Sequence, residues 1–156
     1  MRARSPLLIG SAILAVGLGG PAVAGSAAGG KGGRPLNTTL LGANEAPNPG
    51  DANAAGTAKL RLNSGRRRIC YRLTWQDVDG TVTAAHIHQG PPGEAGPVRV
   101  NLFVAQTLGG TGSKSDCVSA TRAQIKAIRK HPAAYYVNIH SSPSFGGGAI
   151  RGQLHK

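Results

Sequence analysis

The chain has 156 residues, with 18 Lys and Arg against 6 Asp and Glu, which gives a formal net charge of +12 at pH 7. A basic chain can bind nucleic acid, but here the cations are scattered apart from Arg66, Arg67 and Arg68, and no aromatic residues alternate with them. We therefore exclude nucleic acid as a partner. The charge is interpreted first as a solvated surface and second as one that adheres to anionic envelope polymers or lipid headgroups.

The N-terminus has the pattern of a signal peptide. Arg2 and Arg4 precede an apolar stretch over residues 7–18, and the small residues at 22–24 form a cleavage motif. We expect residues 1–24 to be removed and the protein to be secreted or held in the cell envelope. The alternative is that this segment is kept as an anchor. No later stretch is long and apolar enough to span a membrane, and the remaining length suits one domain with one core.

Residues 25–35 are rich in Gly and Ala and predict a flexible leader before a domain at 36–154. In that domain, short alternating apolar and polar segments between turn residues predict strands. The expected strands are 36–41, 56–62, 68–75, 82–88, 97–103, 135–140 and 149–154. Residues 109–115 contain Gly and Ser and predict a flexible loop. Thr121 and Gln124 form a capping box that predicts a short helix ending before Pro132.

About seven short strands and one short helix predict an all-β fold. We expect an antiparallel Greek-key β-sandwich, in which two sheets bury their apolar faces against each other.

Cys70 and Cys117 are the two cysteines of the chain. An even count in an oxidising compartment predicts a disulfide, and the wide spacing argues against a zinc ribbon or a redox motif. Cys70 falls on the polar face of its predicted strand. We therefore expect the bond to fix a loop containing Cys117 over the outside of the sheet.

Two histidines, His86 and His88, stand two residues apart in a predicted strand. Since successive side chains of a strand alternate, both imidazoles share the face opposite Ile87. His140 ends another predicted strand, on a face shared with Asn138. If the two strands are neighbours in register, the three neutral imidazoles form a site for one copper or zinc ion, with an affinity that falls below about pH 6.5. The alternative is that these histidines only hydrogen-bond locally and fix the loop 90–97.

Arg151, on the last predicted strand, is expected to form an ion pair with Glu45 or Asp79, or alternatively to contact an anionic ligand. Glu45, Asn138 and Arg151 are therefore the candidate polar contacts of the site. The sequence has no defensible Ser-His-Asp set, carboxylate pair or phosphate-binding loop. We assign no catalytic residue and favour a protein that is not an enzyme.

Several ordered motifs resemble those of the CHRD domain. They are LLGANEAP at 40–47, AAHIHQG at 84–90, Gly93 with GPV at 96–98, YVNIH at 136–140 and GAIRGQL at 148–154. The resemblance covers residues 36–154 and implies a secreted β-sandwich. The family includes chordin, an extracellular antagonist of bone morphogenetic proteins, and small exported microbial proteins. Chordin's cysteine-rich repeats, which are associated with that antagonism, are absent from this chain, so the resemblance does not imply the same activity here.

A weaker resemblance, carried by the His-x-His strand and the Gly-rich loop after it, is to copper-zinc superoxide dismutase. It implies His86 and His88 as copper ligands with His140 as a third, on an immunoglobulin-like or superoxide-dismutase-like sandwich. The zinc ligands of that enzyme are missing after His88, because the other histidines stand at 131 and 155. We predict an exported binding module for an unknown protein or envelope polymer. The alternative is a mononuclear copper or zinc protein, with weak dismutase-like activity as a further possibility.

Overall fold

The structure is a computed structural model that describes residues 33–156; the predicted signal segment and residues 25–32 of the predicted leader lie outside these residues. The prediction of a flexible leader is wrong at its end, because residues 34 and 35 pair with the next strand. The described part contains eight strands and one α-helix: β1 Arg34–Leu41, β2 Ala55–Asn63, β3 Arg68–Gln76, β4 Thr81–Gln89, β5 Val98–Phe103, β6 Gly112–Ser119, α1 Arg122–Lys130, β7 Tyr135–Ser142 and β8 Ile150–Gln153. The prediction of an all-β fold with one short helix is confirmed. Among residues 33–156, no helix has the length and apolar character needed to cross a bilayer.

The strands form one antiparallel sheet in the order β5-β4-β7-β8-β1-β2-β3-β6. Its weakest join is between β1 and β8, where Leu41 and Arg151 form the single paired position. The two ends of the sheet approach each other. The Tyr71 hydroxyl of β3 donates to the Leu102 carbonyl of β5 at 3.1 Å, and the ring centroids of Trp75 and Phe103 are 6.3 Å apart. The sheet is therefore nearly closed around one core.

Alternation along the strands decides which residues enter that core. On β2 and β3, every second side chain is buried, as expected for a sheet with one apolar face. The helix caps its N-terminus through Thr121 and Gln124, as predicted, and buries Ile125 and Ile128. The residues with no exposed surface include Leu40, Leu62, Ile69, Leu73, Ile87, Val137 and Ile139.

The prediction of a loop at residues 109–115 is wrong over its second half. Residues from Gly112 onward belong to β6, which pairs with β3 over its whole length. As an edge strand, β6 is only partly covered, so it lacks the apolar alternation that marks the central strands. Gly112 packs on the indole of Trp75, where an added Cβ would lie 3.2 Å from the ring. This glycine allows close packing rather than flexibility.

The predicted disulfide between Cys70 and Cys117 is confirmed, but the prediction that it fixes a loop over the outside of the sheet is wrong. The two cysteines lie directly opposite each other on β3 and β6, with their Cα atoms 3.9 Å apart. The bond therefore joins two paired strands instead of fixing a loop over the sheet.

Replacing both Cys70 and Cys117 by alanine is expected to lower the free energy of unfolding by about 2–4 kcal/mol, since the bond restricts the unfolded chain across 47 residues. Urea denaturation would measure the loss. The wild-type protein unfolded in the presence of dithiothreitol is the matched control and should lose the same amount. A loss below about 0.5 kcal/mol in the variant, within the range of ordinary surface substitutions, would mean that the β3–β6 ladder alone sets the stability of this edge.

Candidate metal centre

The three histidines meet because β4 and β7 are neighbours in register. His86 pairs with Asn138 across the ladder, and His140 pairs with Ala84. The alternate residues of both strands, among them Ile87 and Ile139, have no exposed surface and face the core. The imidazoles therefore share the opposite face of the sheet, as the alternation predicts.

The ring geometry brings one nitrogen of each histidine within 4.8 Å of the other two. His86 Nδ1 lies 3.0 Å from His140 Nε2. The ring centroids are 4.8 Å apart for His86 and His140, 5.5 Å for His86 and His88, and 6.3 Å for His88 and His140. The three side chains form one compact cluster, which we call the three-histidine cluster.

Two of these rings are oriented by backbone carbonyls. His88 Nδ1 donates to the Gly96 carbonyl at 2.8 Å, and His140 Nδ1 donates to the Gly146 carbonyl at 3.0 Å. Because a carbonyl only accepts, a neutral ring held in this way carries its proton on Nδ1 and a lone pair on Nε2. Metal-binding histidines commonly have such a second hydrogen bond. The His88 Nε2 atom is buried and has no hydrogen-bond partner in the described part of the chain.

Burial keeps all three rings in the neutral form. It lowers the pKa of His86 to about 4, with further lowering by the neighbouring His140 and His88. Burial also lowers the pKa of His88 and of His140, against the opposing effect of their hydrogen bonds to Gly96 and Gly146. At neutral pH, the cluster therefore offers unprotonated nitrogen ligands.

Arg151 holds the loop 90–97 over the cluster. It is only 1% exposed, and its guanidinium carbon lies 3.4 Å from the centre of the Tyr136 ring, which in turn stacks on His88. The guanidinium donates to the carbonyls of Pro91 at 2.7 Å and Glu94 at 2.9 Å. These backbone contacts replace the ion pair with Glu45 or Asp79 that the sequence suggested, so Arg151 is a buried support rather than a surface charge.

Glu45 is a partly buried acid that interacts with Arg151 and Asn138. Its Oε1 atom is buried without a hydrogen-bond partner among the described residues, and burial raises its pKa to about 7, against the lowering effects of Arg151, the Ala46 backbone and Asn138. An added Cβ on Gly148 would lie 2.5 Å from Oε1, so this glycine makes room for the carboxyl group.

Asn138 links this region to the histidines, because its Oδ1 atom lies 3.1 Å from His140 Nε2; with the lone pair on that nitrogen, the amide donates to it when its NH2 group takes the position of Oδ1. Sequence reasoning named Glu45, Asn138 and Arg151 but gave no role to Tyr136, which lies between Arg151 and His88 and accepts a hydrogen bond from the Gly96 N–H. Its alternation with Asn138 and His140 is the signal that places it on the same face. The carbonyls of Gly96 and Gly146 have no signature in the sequence at all.

Comparison with known proteins gives one family. No curated protein and no solved structure gives a significant match to the chain. The family model described as the CHRD domain matches residues 36–154, which is most of the chain. The match includes the two strands that carry the three-histidine cluster and the Gly96 and Gly146 carbonyls that orient two of its rings. This chain belongs to the CHRD domain family.

Proposed function

We propose that this protein is an exported binding module that holds one copper or zinc ion through His86, His88 and His140. The observation that carries the proposal is the convergence of three ring nitrogens, one from each histidine, within 4.8 Å of one another. Export is supported by the signal-like pattern of residues 1–24 and by the disulfide, which is typical of oxidising compartments.

The spacing of the nitrogens fits a single ion after small rotations of the rings. Bonds of about 2.0–2.1 Å in a tetrahedral site place ligand nitrogens roughly 3.3 Å apart. The cluster spans up to 4.8 Å, and the pair formed by His86 and His140 is already at 3.0 Å. Imidazole donors without thiolates suit Cu(II) and Zn(II), and the two cysteines are held in the disulfide.

Local hydrogen bonding alone accounts for only part of the cluster. It explains the contact between His86 and His140, and the Nδ1 bonds of His88 and His140. It does not explain why His88 Nε2 is buried without a partner, since an unsatisfied buried polar atom costs about 1–3 kcal/mol. A bound metal ion would supply that partner. Three protein ligands also leave one position of a four-coordinate ion for water or another ligand. The weak dismutase-like activity stays a prediction, tested by a superoxide assay on copper-loaded protein.

The test is a metal titration of untagged protein. We expect the wild type to bind one equivalent of Cu(II) or Zn(II), and the double variant His86→Ala/His88→Ala to bind at least about 100-fold more weakly, since even second-shell changes cost 10–100-fold. Isothermal titration calorimetry and elemental analysis would measure affinity and content.

The matched control is His131→Ala/His155→Ala, which removes two histidines outside the cluster and should bind as the wild type does. Circular dichroism would verify that each variant is folded. Equal affinity of the wild type and the His86/His88 variant, or failure of the wild type to bind either metal, would refute the proposed site.

A further inference from the structure

The outward face of β1, β2, β3 and β6 is basic. Alternation turns Lys59 and Arg61 of β2 and Arg68 and Arg72 of β3 to this face, and all four side chains are exposed. The acid of these strands, Asp116, is paired with Tyr71, so alternation turns it away from the four cations, but it is exposed and lines the edge of the groove described below. Burial raises the pKa of the Tyr71 hydroxyl to about 12, and the neighbouring charge of Asp116 contributes to the rise.

The cations on this face are arranged at a cost to the sheet. Lys59 is directly opposite Arg72 across the β2–β3 ladder, and Arg61 is two residues further along β2. Like charges in directly opposed positions are destabilising. Within residues 33–156, none of these three side chains has an acidic partner. A bound anion would offset this repulsion.

The face is also concave. A groove of about 1040 Å³ runs across it and is lined by Lys59, Arg61 and Arg72 together with Arg66 and Arg68. A second recess, of about 910 Å³, is lined by Arg66, Arg68 and two further arginines. Because Arg66 and Arg68 line both recesses, the two recesses adjoin each other. We call them together the basic groove, and its five main cations are Lys59, Arg61, Arg66, Arg68 and Arg72.

We propose that the basic groove binds a linear polymer that carries phosphate groups. Arginine forks pair with phosphate oxygens in two-point contacts, and successive cations along a groove can engage successive phosphates of one chain. Polymer binding of this kind also gains from the release of counterions. It does not depend on the three-histidine cluster, which lies between β4 and β7.

A membrane surface is a poorer fit to the same charges. Proteins that adsorb to lipid headgroups usually combine basic residues with aromatic or large aliphatic side chains that enter the bilayer. Around the cations, the outward positions of β2, β3 and β6 are mostly Thr, Ser and the disulfide. The large exposed hydrophobic residue on these strands, Leu41, is at the end of β1, opposite Ala55.

The test uses inorganic polyphosphate of defined length as the probe. The variant Lys59→Gln/Arg61→Gln/Arg72→Gln removes three groove cations, and Arg99→Gln/Lys126→Gln/Lys130→Gln removes three exposed cations outside the groove for the same change in net charge. We expect the groove variant to bind at least about tenfold more weakly, and the slope of log K against log salt to fall by about 2, as for three lost contacts to a flexible polyanion. The control should change less than about threefold, and His86→Ala/His88→Ala should bind like the wild type.

Equal losses in the groove variant and the control would overturn the proposal, because net charge alone would then explain binding. Absence of polyphosphate binding by the wild type would overturn it as well. Phosphatidylglycerol vesicles that bind more tightly per phosphate than the polymer, with binding lost in the groove variant, would assign the groove to a membrane instead. Unfolding in urea would verify that both triple variants keep the wild-type stability.

Discussion

Replacing Arg151 by leucine is expected to lower the free energy of unfolding by about 3 kcal/mol. Arg151 is 1% exposed and its guanidinium donates to the carbonyls of Pro91 and Glu94, and each acceptor left without a partner costs about 1–3 kcal/mol. Leucine would also lose the stacking on Tyr136. Urea denaturation measures the change. The control is Arg99→Leu, which removes an exposed arginine that bonds to Gln89 and should cost less than about 0.5 kcal/mol.

The conservative change Arg151→Lys separates the support of the loop from the stability of the fold. Lysine keeps the charge but cannot donate to both carbonyls from one planar group. Since the same loop supplies the Gly96 carbonyl that orients His88, we expect metal affinity to fall 10–100-fold while the protein stays folded. If the lysine variant kept the wild-type metal affinity, Arg151 would act on stability alone.

The predictable parts of this fold are the strands whose two faces differ. The alternation of β2 and β3 shows in their sequences because each has one buried face. Residues 82–88 and 135–140 are recognisable instead as short strand-like runs between turn residues, and β7 is buried on both faces over most of its length. Alternation also predicted that His86 and His88 share a face. It did not determine that β4 pairs with β7 in the register that brings His140 to them, because register depends on contacts between residues far apart in the chain.

The unpredicted parts are those in which local pattern and environment disagree. The β6 strand has Lys114 and Asp116 on the face that alternation turns toward the core, and such residues are typical of a loop or an edge. Arg151 is polar and yet nearly fully buried, because Tyr136 and two loop carbonyls enclose it. Its sequence position suggested a surface ion pair, and only the path of the loop 90–97 shows otherwise.

The second large expected effect is the dependence of metal affinity on pH. Metal affinity is expected to stay nearly constant from pH 8 to about 6 and to fall steeply toward pH 4, whereas ligands with the ordinary histidine pKa of about 6.5 would weaken from pH 6.5 downward. The physical reason is burial, which lowers the pKa of His86 to about 4 and also lowers the pKa values of His88 and His140, so that protons compete with the metal only in more acidic solution. Zn(II) titrations at pH 8, 7, 6, 5 and 4 would measure this profile, and a decline that begins at pH 6.5 would contradict it.

The stability of the metal-free protein tests the same assignment independently. A histidine whose pKa is lowered by folding contributes stability that is complete above about pH 6.5 and is lost as the pH falls toward its folded value. The contribution of Glu45 to stability changes with pH in the opposite direction. Its pKa is raised from 4.5 to about 7, so its contribution is complete below pH 4.5 and is lost as the pH rises through 7. Between pH 6.5 and 4.5 the two trends oppose each other.

The substitution Glu45→Gln removes the pH dependence of stability that comes from Glu45 and leaves the one that comes from the histidines. In this variant, the loss of stability between pH 6.5 and 4.5 is expected to be steeper than in the wild type, and above pH 7 the variant should be the more stable of the two, because no carboxylate has to ionise in a buried position. Urea denaturation in the presence of EDTA at four pH values would measure both differences. If the stability of the variant and of the wild type showed the same pH dependence, Glu45 would not ionise in this range, and the histidines alone would control how the stability of the protein responds to acid.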